Sequence, residues 1–131
     1  MTRHRFSGDR GTATTEVVLL VPVLLFLVMV VIQFGLWYHA QHVAQAAADE
    51  GARAARGEGA TQADGVVRAN DFLDQAASPL ISDRDVVATR TVDVATVTVS
   101  GHVAAVIPGF SLTVQASATD PVEQFRPDNG D

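Results

Sequence analysis

The chain has 131 residues, a formal net charge of −6 and a hydrophobic content of 47%. This length allows one small domain plus a membrane segment, since a domain takes roughly 100–200 residues. The chain lacks cysteine, which excludes disulfides, thiolate chemistry and cysteine-linked lipid anchors. No arginine cluster follows the most apolar stretch, which disfavours nucleic-acid binding.

A short basic leader, residues 1–11, precedes the most apolar part of the chain. Arg3, Arg5 and Arg10 are followed by an uncharged stretch over residues 17–38, which as a helix would be ~33 Å long at ~1.5 Å per residue. Because the hydrocarbon core of a bilayer is ~30 Å thick, the sequence predicts one transmembrane helix. The next arginine is Arg53, so the N-terminus is predicted to be cytoplasmic and the C-terminal part extracytoplasmic.

A single carboxylate, Glu16, stands at the N-terminal edge of this stretch, five residues after Gly11. A carboxylate close to the membrane is costly unless it is paired. Cleavage after Gly11 would leave a free ammonium on Thr12, one helical turn from Glu16 and on the same helix face. The sequence therefore predicts a processing site at Gly11 and Thr12 and an assembly charge at Glu16. The alternative is that Glu16 only offsets the helix macrodipole.

The helix is predicted to cover residues 12–57 and to project beyond the membrane. Pro22 removes one helix hydrogen bond and is expected to bend the span, which transmembrane helices tolerate. Residues 39–56 are rich in alanine, the best helix former, and the glycines that follow are expected to end the helix. Small residues at four-residue spacing permit close helix approach, with helix propensity alone as the alternative. The candidate helix-packing residues are Pro22, Ala40, Ala44, Ala48 and Gly51.

A small extracytoplasmic α+β domain is predicted over residues 58–120, with a polar tail at 121–131. Its helix should run from Thr61, as N-cap, to Ala77, with Asp64 in the first turn. The apolar face of this helix is predicted to comprise Ala63, Val66, Val67, Leu73 and Ala77.

Three antiparallel strands are expected after this helix, because apolar and polar residues alternate with period two. The predicted strands are 86–94, 97–107 and 110–119, with a turn at Pro108 and Gly109 between the last two. A three-stranded sheet with one apolar face needs cover, and the 61–77 helix is expected to provide it.

Four segments carry a family resemblance: RGTATTE (10–16), LVPVLL (20–25), IQFG (32–35) and AAADEGARAA (46–55). Together they resemble the TadE-like family, which are pilin-like membrane proteins of tight-adherence (Flp-type) pilus and secretion systems. Gln33 stands where many relatives carry Glu, and Thr12 where mainstream type IV pilins have Phe.

The resemblance implies a minor pilin, a pseudopilin or an assembly component that acts by helix packing, without catalysis or a cofactor. It implies a single-pass protein of the bacterial cell membrane that is associated with a pilus. The implied partners are the membrane, other pilin-like subunits or the pilus assembly platform, and a prepilin-type peptidase; nucleic acid is not among them.

Catalytic and metal-binding patterns are weak. His39 and His42 share a helix face but have no third ligand at a fixed spacing, and His102 has no recognisable Ser or Asp partner. The sequence therefore does not predict an enzyme.

The second functional hypothesis is an extracytoplasmic binding module, either anchored or processed by signal peptidase, whose sheet recognises a ligand or a cell-wall polymer. Residues 44–46 offer an A-x-A site that would leave Ala47 as the first residue. The apolar core exceeds the usual ~7–15 residues of a signal peptide, which favours the uncleaved span.

Overall fold

Two helices and a three-stranded antiparallel sheet form the described part of the chain. The computed structural model describes residues 9–124 and residue 127, with side chains from residue 14 onward, so most of the predicted leader and tail lies outside it. The predicted α+β class with a long apolar N-terminal helix is confirmed. The elements in chain order are α1 (Asp9–Arg56), α2 (Gln62–Ala76), β1 (Ile81–Arg90), β2 (Val94–Val103) and β3 (Leu112–Pro121), and the strands lie in the order β1-β2-β3.

The C-terminal end of α1 is held by a side chain from the sheet. The helix is continuous over 48 residues and ends at Arg56, where the following glycines were expected to stop it. The backbone of Gly59 has φ +72°, which glycine adopts without steric cost. Arg90 donates from its Nε to the carbonyl of Ala55 at 2.8 Å and from a terminal nitrogen to the carbonyl of Gly57 at 3.3 Å. A cation here complements the negative end of the helix dipole.

The N-terminus of α2 is closed by a reciprocal cap between Thr61 and Asp64. The backbone N–H of Thr61 donates to Asp64 Oδ2 at 2.7 Å, and the backbone N–H of Asp64 donates to Thr61 Oγ1 at 3.4 Å. This is the capping-box arrangement, which satisfies two free helix donors at once. The bonds from the backbone and then the hydroxyl of Thr61 hold the pKa of Asp64 below its usual value. The predicted N-cap at Thr61 is confirmed.

The buried face of α2 differs from the predicted one. Leu73 and Ala77 are buried as expected, but Ala63 and Val67 are exposed. Their places in the core are taken by Gly65 and Ala69, which lie about two turns and one turn before Leu73, respectively. The apolar pattern was misleading because α1 and α2 lie so close together that only the smallest side chains fit between them.

All three strands are present, with boundaries that differ from the predicted ones. β1 begins earlier than predicted, at Ile81, and ends before a turn in which Thr91 Oγ1 accepts the backbone N–H groups of Asp93 and Val94. β2 was expected to continue to residue 107 but ends at Val103, because the next segment turns away to contact α1. β3 starts and ends two residues later than predicted.

Both helices cover the sheet, whereas the sequence predicted α2 alone. α1 packs mainly on β2 and β3, and α2 packs on β1. The core between them consists of small helix side chains facing branched strand side chains, so the layers approach closely. The core residues are Ala40, Val43, Ala44, Ala47, Ala48 and Ala52 of α1, Ala69 and Leu73 of α2, Ala77, and Ile81, Val97, Val99, Val103, Val114, Ala116 and Ala118 of the sheet.

Candidate membrane anchor and packing surface

The N-terminal part of α1 extends from the folded domain with its apolar side chains exposed. Within residues 17–32, which we call the apolar segment, the large hydrophobic side chains named below are each between 46% and 66% exposed. They are Val17, Val18, Leu19, Leu20, Val21, Val23, Leu24, Leu25, Phe26, Leu27, Val28, Val31 and Ile32. Monomeric soluble proteins rarely expose so large a contiguous apolar surface. Among the described residues, α1 is the one helix long and apolar enough to cross a membrane.

The predicted processing and charge residues lie at the beginning of α1. Because the helix starts at Asp9, Gly11 and Thr12 are already in its first turn. Glu16 is exposed one turn further along, immediately before the apolar segment. Pro22 lies inside the helix without interrupting it.

The predicted small-residue positions lie against the chain's own α+β domain. Ala40, Ala44 and Ala48 have no exposed surface. A Cβ added to Gly51 would lie 2.8 Å from the carbonyl oxygen of Gly65, so the backbones of α1 and α2 are in direct contact there. The close approach that small residues permit is therefore made within the chain between α1, α2 and the sheet.

Three α1 side chains bind the outer edge of β3, a contact that sequence reasoning missed. The indole Nε1 of Trp37 donates to the carbonyl of Thr113 at 3.0 Å. The amide nitrogens of Gln41 and Gln45 donate to the carbonyls of Gln115 and Ser117 at 2.8 and 3.2 Å.

The spacings explain why these contacts form a regular row. Four helix residues rise about 6 Å and two strand residues about 6.7 Å, so donors at 37, 41 and 45 stay in step with acceptors at 113, 115 and 117. The row occupies an edge that would otherwise offer free carbonyls to another strand. The feature of the sequence that could have predicted this row is the four-residue spacing of the hydrogen-bond donors Trp37, Gln41 and Gln45.

Gln33 continues this spacing by one turn and binds the segment after β2. Its side chain is 1% exposed, although it lies in the stretch predicted to be transmembrane. Its Nε2 donates to the carbonyl of Ala104 at 3.1 Å, and its Oε1 accepts the backbone N–H of Val106 at 2.7 Å. Both halves of the amide are thus used, as burial of a polar group requires.

Charged contacts are concentrated near the opposite end of the domain. Glu50 pairs with Arg53 at 3.0 Å and with Arg68 of α2 at 3.1 Å. Arg56 lies 3.9 Å from Asp120 and 3.8 Å from Glu123. A further ion pair, Arg84 with Asp74 at 2.7 Å, lies at the other end of the sheet, where β1 begins beside the end of β2.

His42 and His102 each contact a neighbouring side chain. Tyr38 and His42 meet edge to face with ring centroids 4.4 Å apart. His102 Nδ1 lies 3.9 Å from a carboxylate oxygen of Asp83. Among the described side chains, no three His, Asp or Glu residues come together as a metal site would need.

Comparison with known proteins finds a family match within α1. Residues 11–53 match the family model described as TadE-like protein. No curated protein and no solved structure matches the chain. The matched residues lie wholly within α1, and they include the apolar segment, Gln33 and the small residues that pack on the sheet. The resemblance found in the sequence is confirmed.

Proposed function

We propose that this TadE-like chain is a membrane-anchored, pilin-like component of a tight-adherence pilus or secretion system. Its role is structural. The apolar segment anchors the chain and packs against the helices of other pilin-like subunits or of the assembly platform, and the α+β domain is presented outside the membrane. The observation that carries the proposal is the exposure of the apolar segment on a helix whose other half is firmly packed.

Exposure of the apolar segment to water is unfavourable, and this is the physical reason to propose a membrane anchor. Transfer of apolar surface out of water is favourable by roughly 25 cal/mol per Å². Every large side chain from Val17 to Val28 that is exposed here would gain from lipid or from a neighbouring apolar helix. The C-terminal half of α1 has no such need, since its alanines are covered by α2 and the sheet.

Orientation follows from the arginines. Arg3, Arg5 and Arg10 precede the apolar segment, and the next arginine along the chain is Arg53. Positive charge is retained on the cytoplasmic side, so the proposed orientation has the leader in the cytoplasm and the α+β domain outside.

Processing by a prepilin-type peptidase is the proposed maturation step. Hydrolysis of the peptide bond between Gly11 and Thr12 would release the leader and leave an ammonium on Thr12. Residues at i and i+4 share a helix face, which places that ammonium near Glu16 of the same or a neighbouring subunit. Such a pair would offset the cost of a carboxylate at the membrane boundary.

A signal-peptidase product is not proposed, because its cleavage site would divide the folded domain. A cut before Ala47 falls in the C-terminal part of α1, where Ala44, Ala47 and Ala48 are fully buried. The fragment removed would also carry Trp37 and Gln41, which bind the edge of β3.

The mature N-terminus tests this proposal. The chain is isolated from the membranes of cells that make the pilus, and its first residue is determined by mass spectrometry. Thr12 is the expected result, and Gly11→Ala is the control that should leave the leader attached. A membrane-bound chain that starts at Met1 or Thr2 would overturn processing but not anchoring. A soluble chain that starts at Ala47 would overturn both.

A further inference from the structure

We propose that the segment joining β2 to β3 is a second membrane-contacting element, which inserts its apolar tip into the outer leaflet beside α1. We call this segment, residues 104–111, the apolar loop. Its sequence, AAVIPGFS, contains no charge, and it is bound by Gln33, the residue that directly follows the apolar segment of α1. The proposal rests on the membrane anchoring proposed above.

The position of the loop along α1 is fixed by hydrogen bonds. Trp37 binds the carbonyl of Thr113, and Gln33, one helical turn nearer the N-terminus, binds Ala104 and Val106. Side chains on a helix lean toward its N-terminus, so the surface that Gln33 covers lies before its own Cα. The loop therefore reaches further toward the apolar segment than any contact of β3.

Burial along α1 supports this placement. Met29 and Val30 are half-buried, whereas Val28 and Val31 on either side of them are exposed. The turn at the loop tip is closed by a hydrogen bond from the N–H of Phe110 to the carbonyl of Ile107.

The dimensions of a bilayer then bring the loop into lipid. The axial distance from Glu16 to Gln33 is about 26 Å at ~1.5 Å per residue. A hydrocarbon core of ~30 Å that begins near the charge of Glu16 would extend past Gln33. Tilt of α1 shortens its projection on the membrane normal and moves the loop deeper.

Four backbone groups of the loop are paired, which lowers the cost of placing this segment near hydrocarbon. Unsatisfied backbone groups are costly in hydrocarbon. The carbonyl of Ala104 and the N–H of Val106 are taken by Gln33, and the N–H of Ala104 donates to the carbonyl of Leu80 at 2.9 Å. The N–H of Phe110 is taken by the tip turn.

The depth of insertion is limited by polar and ionisable groups directly behind the loop, among them the ion pair of Arg84 and Asp74. His102 is exposed at the end of β2, and Asp83 near it has a side chain that is 85% exposed. These groups belong at the level of the lipid headgroups. The inserted part is therefore restricted to the tip, where Ile107 and Phe110 are the large apolar side chains.

The turn at the other end of the sheet provides a matched comparison. Val92 is 76% exposed and lies between β1 and β2, next to Asp93. It is aliphatic like Ile107 but lies at the end of the sheet opposite the apolar loop, far from the apolar segment. Exposure of a single apolar residue there requires no special explanation.

Single-cysteine labelling tests the proposal, since the natural chain has no cysteine. The full chain carrying Ile107→Cys, Phe110→Cys, Val92→Cys or Leu24→Cys is labelled with an environment-sensitive fluorophore. It is reconstituted into phosphatidylcholine and phosphatidylglycerol vesicles with and without acyl-brominated phosphatidylcholine. Circular dichroism checks that each variant is folded, and the only tryptophan, Trp37, serves as an unlabelled probe of the same membrane level.

The labels at residues 107 and 110 should be quenched at least half as strongly as the label at 24, while the label at 92 should not be quenched. Quenching at 24 without quenching at 107 and 110 would overturn loop insertion and leave the anchor intact. Absence of quenching at 24 would overturn the anchor itself, and loop insertion with it. Because Phe110 is exposed, its substitution also serves if Ile107→Cys disturbs the fold.

Discussion

Gly51 of α1 and Gly65 of α2 meet backbone to backbone. A Cβ on Gly51 would lie 2.8 Å from the Gly65 carbonyl oxygen, and a Cβ on Gly65 would lie 3.0 Å from the Gly51 carbonyl oxygen. Neither neighbour is a flexible side chain that could move aside. The two helices therefore depend on the absence of side chains at this crossing, which brings α2 close enough to α1 for both to cover one sheet.

Substitution at this crossing should destabilise the α+β domain. Gly51→Ala inserts a methyl group against a carbonyl oxygen, and overpacking of this kind costs about 1–3 kcal/mol. Gly35→Ala is the matched control in the same helix, since a Cβ there meets no atom within 4 Å. The control should gain up to ~1 kcal/mol, because alanine is the better helix former. Denaturant unfolding in detergent measures both, and equal stability of the two variants would contradict the contact.

Loss of the Gln33 amide should release the apolar loop. Gln33→Leu leaves the carbonyl of Ala104 and the N–H of Val106 without partners, and each buried unsatisfied group costs about 1–3 kcal/mol. The amide hydrogen of Val106 should then exchange faster with solvent. Gln41→Leu is the control, because it removes a bond on an exposed part of β3 where water can replace it. Unchanged exchange at Val106 in Gln33→Leu would show that the loop is held by other contacts.

The capping box should make α2 sensitive to acid. The folded-state pKa of Asp64 is lowered by its bonds with Thr61, so its contribution to stability is present above the unfolded pKa of the carboxyl. That contribution is lost as the pH falls through the lower, folded-state pKa. In the Asp64→Asn variant this part of the pH dependence should disappear. At neutral pH the free energy of unfolding of the variant should be slightly lower than that of the natural chain. Thermal unfolding of the full chain and of the Asp64→Asn variant, followed by circular dichroism at several pH values from neutral to acidic, checks the prediction.

Several features were predictable because their causes are local. The apolar segment, the Thr61 cap and the alternation that buries Val114, Ala116 and Ala118 each follow from a short stretch of sequence. The buried face of α2 was not predictable, because Gly65 is buried by contact with Gly51, which lies 14 positions away in the chain. Apolarity alone favoured Val67, which is exposed.

The end of β2 and the edge of β3 were also beyond local reasoning. Alternation continues past Val103, but the strand stops because Gln33 binds the backbone of Ala104 and Val106. In the contact between α1 and the edge of β3, side chains bind backbone carbonyls. Every residue has a backbone carbonyl, so the sequence does not indicate which ones serve as acceptors. The four-residue spacing of Gln33, Trp37, Gln41 and Gln45 becomes meaningful only once β3 is known to lie beside them.

Neutralisation of Glu16 should affect assembly far more than folding. Glu16→Gln keeps the size of the side chain and removes its charge, and a charge at a helix N-terminus contributes only about 0.3–1 kcal/mol. The variant should insert into the membrane and be cleaved after Gly11. Fewer pilin-like partners should co-purify with it from membranes than with the natural chain. Normal assembly by Glu16→Gln would mean that the carboxylate only offsets the helix dipole.

Contact between the apolar segment and other subunits is the central claim, and site-specific photo-cross-linking in the native cell tests it most directly. A photoreactive amino acid replaces Leu24, which is 62% exposed, and in a parallel strain it replaces Val92 at the far end of the domain. The account predicts that the membrane fraction contains adducts at position 24 with chains that mass spectrometry identifies as pilin-like, and fewer at position 92. Recovery of the position 24 chain from membranes without any protein adduct, in cells that assemble the pilus, would contradict it.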